Sequence, residues 1–276
     1  MKNLTWQNPE QLFVAQELIN KVKSKCCGIK GKKNMIPKII HFCWFGKSIY
    51  SPLMAKCIDT WKQVLPEYEF KLWNEDTFDI NSTEWTKHSY ELKKYAFVSD
   101  YVRLLVLYKY GGIYLDTDVK MIRSFNSLLE EDGFMCFEDV KGDIVASCVM
   151  AAKPNHLFIK ECLEYYDRDF TMDIVDNNEA NVIDITKRFV KKGLQLGGAE
   201  QIVSGIHIFP REYFCPMDFW GNWNKTANTY CIHLFSGSWL PDKEQKKLNR
   251  RKKWYFKLAK WIYVHIGLQR LKKYFR

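Results

Sequence analysis

Residues 99 to 119 read SDYVRLLVLYKYGGIYLDTDV, and the architecture turns on this passage. Leu92, Tyr95, Ala96, Val102, Leu105, Val106 and Tyr110 fall at three- and four-residue intervals, the spacing of a helix with one apolar face. It predicts a single long helix from about Lys87 to Tyr110. Gly111-Gly112 then ends it, because glycine accepts the left-handed backbone at a helix C-terminus. Beyond the glycines the helical period gives way to a strand. Over Ile113 to Val119 alternation predicts one face shared by Ile113, Leu115, Thr117 and Val119, and the other by Tyr114, Asp116 and Asp118.

Working outward, Ile36 to Trp44 is a β-rich run ending at Gly46, and Pro52 to Leu65 has helical spacing with proline in its first turn. Tyr68 to Trp73 is a second strand. A β-α-β opening favours a largely parallel sheet with crossover helices. Further strands are expected at Gly133 to Phe137, Ile144 to Ala151, Ile206 to Phe209 and Thr229 to Phe235, with helices near 155–167 and 179–192. Residues 6–25 suggest a short amphipathic helix, followed by the Gly and Lys linker Gly28 to Lys33. The chain therefore divides into an N-terminal helix and linker (1–34), an α/β body (35–242) and a C-terminal tail (243–276).

The tail differs in charge from the rest. From Lys243 to Arg276 there are 13 Lys and Arg against the single acid Glu244, so this stretch carries +12 and residues 1–242 carry −2, which together give the net +10. Trp254, Leu258, Trp261, Ile262, His265 and Leu268 fall along one helical face, with Lys252, Lys253, Lys257 and Lys260 around it. That pattern fits either a helix packed on the body or one lying on an anionic membrane surface, and the latter is the expectation taken here. A nucleic-acid binder would interleave its basic residues with aromatics in a groove, so none is expected. Nine cysteines, an odd number without CxxC spacing, fit a reducing compartment. The start shows no secretory signal and no run is long enough to span a bilayer. A cytoplasmic enzyme on the inner face of the membrane is the expectation.

Two carboxylates on one strand face would lie roughly 6.6 Å apart at their Cα atoms, close enough to address one hard divalent cation, Mg²⁺ or Mn²⁺. They also repel each other, so a compensating positive charge is expected, from Arg103 and from the metal. Asp100 and Arg103 stand one turn apart on the preceding helix. A compact unit, residues 96–119, thus brings an arginine and three acids to one neighbourhood. Asp-x-Asp alone is also found in solvated turns, and only its context raises it to a candidate site.

The run SDYVRLLVLYKYGGIYLDTDV resembles the signature of the family-32 glycosyltransferases, which are similar to yeast initiating mannosyltransferases and to the sugar-binding region of the large clostridial glucosylating toxins. IPKIIHFCWFG near the start of the body and IHLFSGSW near its end extend the resemblance over residues 35–241. It implies a GT-A fold, a Rossmann-like nucleotide-binding sheet, a nucleotide-sugar donor, a Mn²⁺ or Mg²⁺ requirement and retention of anomeric configuration. Residue by residue, it implies that Trp44 stacks on the donor base and that Asp100 and Arg103 grip the transferred sugar, Arg103 also meeting the diphosphate. Asp116 would contact ribose, sugar and metal-bound water, and Asp118 would ligate the metal directly. Tyr114, on the carboxylate face, either lines the donor pocket or packs beneath it.

Family members often carry two adjacent histidines in the last block, whereas this chain has His233 followed by Leu234. His233 is therefore the only candidate imidazole for the metal. Ser238 and Trp239 resemble residues that close over the diphosphate. No nucleophile is evident: Glu138 faces either the acceptor or solvent, and the family implies internal return, in which departing diphosphate helps deprotonate the acceptor. The expected function is hexose transfer from a nucleotide diphosphate sugar, a UDP-sugar before GDP-mannose, to a glycan or lipid-linked acceptor in capsule or cell-surface polysaccharide synthesis. The alternatives are a metal-dependent sugar-phosphate transferase or hydrolase, and a non-catalytic membrane-associated carbohydrate-binding protein.

Overall fold

Strand β1 (Ile39–Cys43) pairs in parallel with β2 (Glu69–Trp73) on one side and with β3 (Gly112–Leu115) on the other, as the β-α-β opening requires. The computed structural model describes residues 35–167, 181–218 and 221–237, with single positions at 243, 246 and 250. Expectations for residues 1–34 and for the tail from Trp254 onward lie outside the described residues. Between β1 and β2 runs helix α1 (Pro52–Val64), opened by the Ser51 side chain, which accepts from the Met54 N–H, and by Pro52. Capping oxygens and an early proline suit the unpaired N–H groups of a first turn.

The expected long helix is two helices, α2 (Glu84–Glu91) and α3 (Tyr95–Tyr110). Lys93 takes a positive φ of 58°, and Lys93 N–H and Lys94 N–H donate back to the carbonyls of Tyr90 and Ser89. This is a C-terminal cap made without glycine, so the sequence carries no punctuation there. Gly111 does end α3, with φ 64°. Gly112 must also be glycine, since a Cβ there would stand 2.7 Å from the Ile39 carbonyl oxygen at φ +105°.

The expected strand from Ile113 to Val119 is broken as well. β3 stops at Leu115, Asp116 to Asp118 form a turn closed by Val119 N–H donating to Asp116 O, and β4 (Val119–Met121) leaves in a separate ribbon. The remaining described strands are β5 (Gly133–Cys136), β6 (Val149–Ala152), β7 (Gln201–Val203), β8 (Ile206–Phe209) and β9 (Cys231–His233), with helices α4 (Leu157–Leu163) and α5 (Asn181–Lys191).

Among the described residues the main sheet has the order β2-β1-β3-β6-β5-β8-β7. Its pairings leave β6 and β7 antiparallel to the other five strands, so the α/β, mostly parallel sheet with crossover helices holds. Alternation sorts the core into two layers. Tyr114 and Met135 join the layer with Val98, Leu104, Phe158 and Phe189, whereas Ile113, Leu115, Phe134 and Cys136 join that of Trp61, Phe125 and Phe214. Both faces of β3 are buried, as expected of a strand deep in an α/β sheet. The stretch Thr229 to Phe235 contributes β9 to the small ribbon instead of the main sheet, pairing β4 with Val119 opposite His233. No helix among the described residues is long and apolar enough to cross a membrane.

Candidate functional site

The carboxyl ends of β2, β1 and β3 lie side by side, and each chain leaves its strand into a loop with chemistry: Asn74-Glu75 after β2, Trp44 after β1, Asp116 after β3. Open α/β sheets bind ligands at such strand ends. The β1 and β2 loops are tied by Gly46 N–H donating to Glu75 Oε1 at 2.7 Å, with Tyr90 Oη–H on the same oxygen at 2.8 Å. Trp44, Lys47, Tyr50, Asn74 and Glu75 line a cleft of about 420 Å³. The Trp44 indole N–H donates to the Ser48 carbonyl, and its ring lies 5.1 Å from that of Tyr50, so the indole is oriented while half-exposed.

Helix α3 supplies the positive charge. Arg103 is 5% exposed and its Nη2 sits 3.0 Å from Asp100 Oδ1 and 3.4 Å from Asp116 Oδ1. Its Nη1 donates to Ser147 O and Oγ, its Nε donates to Ser99 O, and the guanidinium lies 4.5 Å from the Tyr114 ring centre. Tyr114 is buried on the Arg103 side, and its hydroxyl donates to Asp116 Oδ1 at 3.0 Å. Asp100 is pushed up to about 6 by burial, with Arg103 opposing and Asp116 adding to the rise. Ser147, which fixes the guanidinium and in turn donates to Asn181 Oδ1, has no signature in the sequence.

Asp118 is held from the opposite side. Because the turn breaks the strand, Asp118 does not follow the alternation read from the sequence, yet it meets Asp116. The β4–β9 register carries His233 to its flank, with Nε2 3.4 Å from Asp118 Oδ1, and Ser236 N–H donates to Oδ2 at 2.7 Å. The loop turns sharply to do this, with φ of 47° at Phe235 and 63° at Gly237. Burial alone would push the Asp118 carboxyl up, but His233 and the Ser236 N–H outweigh it and hold the group well below the usual carboxylate range. Burial opposes charge on His233 in turn, and Cys148 and Asp118 overcome it, raising the imidazole well above its ordinary value.

One ligand atom from each of Asp116, Asp118 and His233 falls within 4.8 Å of the others. Two carboxylate oxygens and an imidazole suit a Mn²⁺- or Mg²⁺-class ion, so the residues fit the cation that the sequence resemblance implies. Glu138, which follows β5, is pushed up mainly by burial, with His233 opposing and Asp116 adding, and so lies within electrostatic reach of both. Ser238 and Trp239 lie outside the described residues.

Residues 51–135 match the model of the glycosyltransferase sugar-binding region containing DXD motif. This stretch is similar to a glycosyltransferase sugar-binding region. It contains α3, Asp100, Arg103 and both loop acids, and the resemblance carried by residues 99–119 holds. The chain is also similar to curated proteins. Inositol phosphoceramide mannosyltransferase 3 of Schizosaccharomyces pombe is 31% identical over 140 residues, covering 48% of this chain and 38% of that protein. Lactosylceramide 4-alpha-galactosyltransferase of Mus musculus is 26% identical over 165 residues, covering 54% of this chain and 44% of that protein. The chain thus spans less than half the length of these relatives. Among solved structures, the PaToxG glycosyltransferase covers 66% of this chain and 79% of its own at 18% identity and a TM-score of 0.46. An active-site mutant of LgtC covers 77% and 95% at 14% identity and a TM-score of 0.39.

Proposed function

We propose that the chain is a retaining, divalent-metal-dependent glycosyltransferase of GT-A type, moving a hexose from a nucleotide diphosphate sugar to a glycan or lipid-linked acceptor. One observation carries it: Asp116 and Asp118, inside the stretch that matches the glycosyltransferase sugar-binding region, converge with His233 beside the Arg103–Asp100 pair. Asp118, His233 and the more exposed Asp116 would hold the ion, which when bound supplies Lewis-acid neutralisation of a diphosphate leaving group.

The chain's own residues then divide the work. Trp44 stacks on the donor base in the cleft between the β1 and β2 loops, and Ser238 and Trp239 close over the diphosphate. Asp100 and the outer edge of Asp116 orient the sugar. Arg103 spends its N–H groups on Ser99, Ser147, Asp100 and Asp116, so we assign it the positioning of those acids. Tyr114 supports Asp116 from beneath. Glu138, raised by burial, faces the acceptor, and the departing diphosphate takes the acceptor proton in an internal return that requires no enzymic nucleophile.

The donor is a UDP-hexose, with GDP-mannose as the second reading, favoured by the mannosyltransferase names of the Schizosaccharomyces pombe relatives. Ceramide in the names of the Schizosaccharomyces and mouse relatives supports a lipid-linked acceptor here. The basic tail then rests on an anionic membrane surface on the cytoplasmic side, beside such an acceptor in capsule synthesis. Truncation after Asp242 tests the tail, since undiminished membrane recovery would remove that role. The test of the central reading is nucleoside diphosphate release from a panel of UDP- and GDP-sugars with Mn²⁺, with and without acceptor. Metal-dependent release from one donor is expected, and no release from any donor, alongside no Mn²⁺-dependent thermal shift, would overturn it.

A further inference from the structure

Behind the acid loop lies a second set of ligands of different chemistry. Cys148 and Cys215 have their sulfurs 3.5 Å apart, both thiols are buried, and a ring nitrogen of His233 lies within 4.8 Å of both. The position is fixed by the sheet, because Asp116 N–H donates to the Cys148 carbonyl. Cys148 is therefore the residue directly across from the acid loop. Cys136 hydrogen-bonds to Cys215 from the next strand. His233 directs Nε2 to Asp118, while its Nδ1 is buried without a hydrogen-bond partner. An orphaned buried ring nitrogen beside two thiols costs free energy that a ligand would recover.

We propose that Cys148, Cys215 and His233 form a binding site for a thiophilic divalent ion of the zinc class, distinct in ligand chemistry from the carboxylate set. Two sulfurs and an imidazole are a soft donor set, suited to Zn²⁺ and poorly suited to Mg²⁺ or Mn²⁺. In the metal-free protein a hydrogen bond with Cys215 raises Cys148 and one with Cys136 raises Cys215, burial adding to both; binding replaces each S–H bond by a sulfur–metal bond and the Nδ1–H bond of the His233 imidazolium by a nitrogen–metal bond, and releases those protons to solvent. His233 is common to both sets. With an ion of the zinc class on Nδ1, Nε2 keeps its proton toward Asp118 and cannot ligate a second ion there, so zinc antagonises the hard-ion site. That consequence rests on the function proposed above, whereas the site itself does not.

Cobalt titration of the full chain tests the site without reading turnover. A Cys26→Ser/Cys27→Ser background removes the adjacent pair near the N-terminus. Sulfur-to-cobalt charge-transfer absorption is expected, saturating at one ion per chain and bleached by Zn²⁺. It should vanish in Cys148→Ser and in Cys215→Ser and persist in Asp116→Asn. Persistence in the Cys148→Ser/Cys215→Ser variant, or no absorption from folded protein, overturns the proposal. Should those variants fail to fold, zinc-edge X-ray absorption of the zinc-loaded background protein decides it. Sulfur neighbours uphold the site, and a shell of oxygen and nitrogen alone overturns it. Neither result depends on donor, acceptor or Mn²⁺, so the transferase reading is tested separately.

Discussion

Asp116 and Asp118 are two residues apart, yet they are held by different parts of the molecule. Asp116 is secured locally, by Arg103 of the preceding helix and Tyr114 of its own strand. Asp118 is secured across more than a hundred residues, by His233 and the Ser236 N–H. The first arrangement is a desolvated charge cluster that forms with the sheet. The second exists only once β9 has paired with β4. A candidate metal-binding pair built this way is a junction between the stretch 51–135 and the C-terminal block, and neither part completes it alone.

The sharpest way to break this comparison is to remove each acid's charge in turn. Asp118→Asn keeps the shape and an acceptor for Ser236 N–H, but loses the direct metal charge. Turnover should fall about 1,000-fold, equivalent to about 4 kcal/mol of barrier, and thermal stabilisation by Mn²⁺ should disappear. Asp116→Asn should retain part of that thermal shift. Equal loss in both variants would show that the two acids are not divided as described.

The local arm is tested by stability. Arg103→Met strands Asp100 in the core, and unfolding free energy should drop by about 3–5 kcal/mol. Adding Asp100→Leu removes the stranded charge, and the double variant should recover much of the loss while remaining inactive. Denaturant unfolding of both variants measures it. A double variant no more stable than the single would mean that Asp100 is not the group Arg103 neutralises.

The local arm was legible because its parts are contiguous. Helix, glycine turn and strand occupy residues 95–115, and their periodicities name them. The two places where reading failed have physical causes. Lys93 adopts a left-handed cap without glycine, so the apolar spacing runs unbroken through a real boundary between α2 and α3. At Asp116 to Asp118 apolar-polar alternation continues while the chain turns, because β4 keeps the same pattern in a different ribbon. The convergence of the acids was thus anticipated for an incomplete reason. Strand alternation explains Tyr114 on the Arg103 side, but a turn and the β9 register bring in Asp118. Ser147 and the Cys148–Cys215 pair carry no spacing signal, since only tertiary contact gives them meaning.

A histidine outside the junction separates the frame from the site. His41 is buried, donates from Nε2 to Gly111 O and accepts at Nδ1 from the Trp73 indole. Its pKa falls from 6.5 to about 4, chiefly because burial disfavours the cation. The unfolded chain takes up a proton below 6.5 and the folded chain does not until about 4, so stability is lost as pH falls through that window. The loss should total about 3 kcal/mol at roughly 1.4 kcal/mol per unit. His41→Gln should lower stability at neutral pH and flatten this segment of the profile. His233, whose pKa is raised, works in the opposite direction: in metal-free protein its contribution is present at low pH and lost as pH rises through the folded value.

The smallest expected effect concerns the end of the site most distant from the acid pair in mechanism. Trp44 leaves the same sheet edge as Asp116, but its indole is half-exposed in an open cleft, and its N–H is already engaged with Ser48. What remains for a ligand is the ring face, which suits stacking and carries no charge. Trp44→Ala should therefore weaken donor binding by about 2 kcal/mol, roughly 30-fold in KM for the donor. The turnover number should change little, because a base contact is equal in ground and transition states. Trp44→Phe should restore most of the affinity. Were Trp44 instead a packing residue at the end of β1, the alanine variant would lose stability with donor KM unchanged, and the β1 loop would drop out of the site while the acid junction stood.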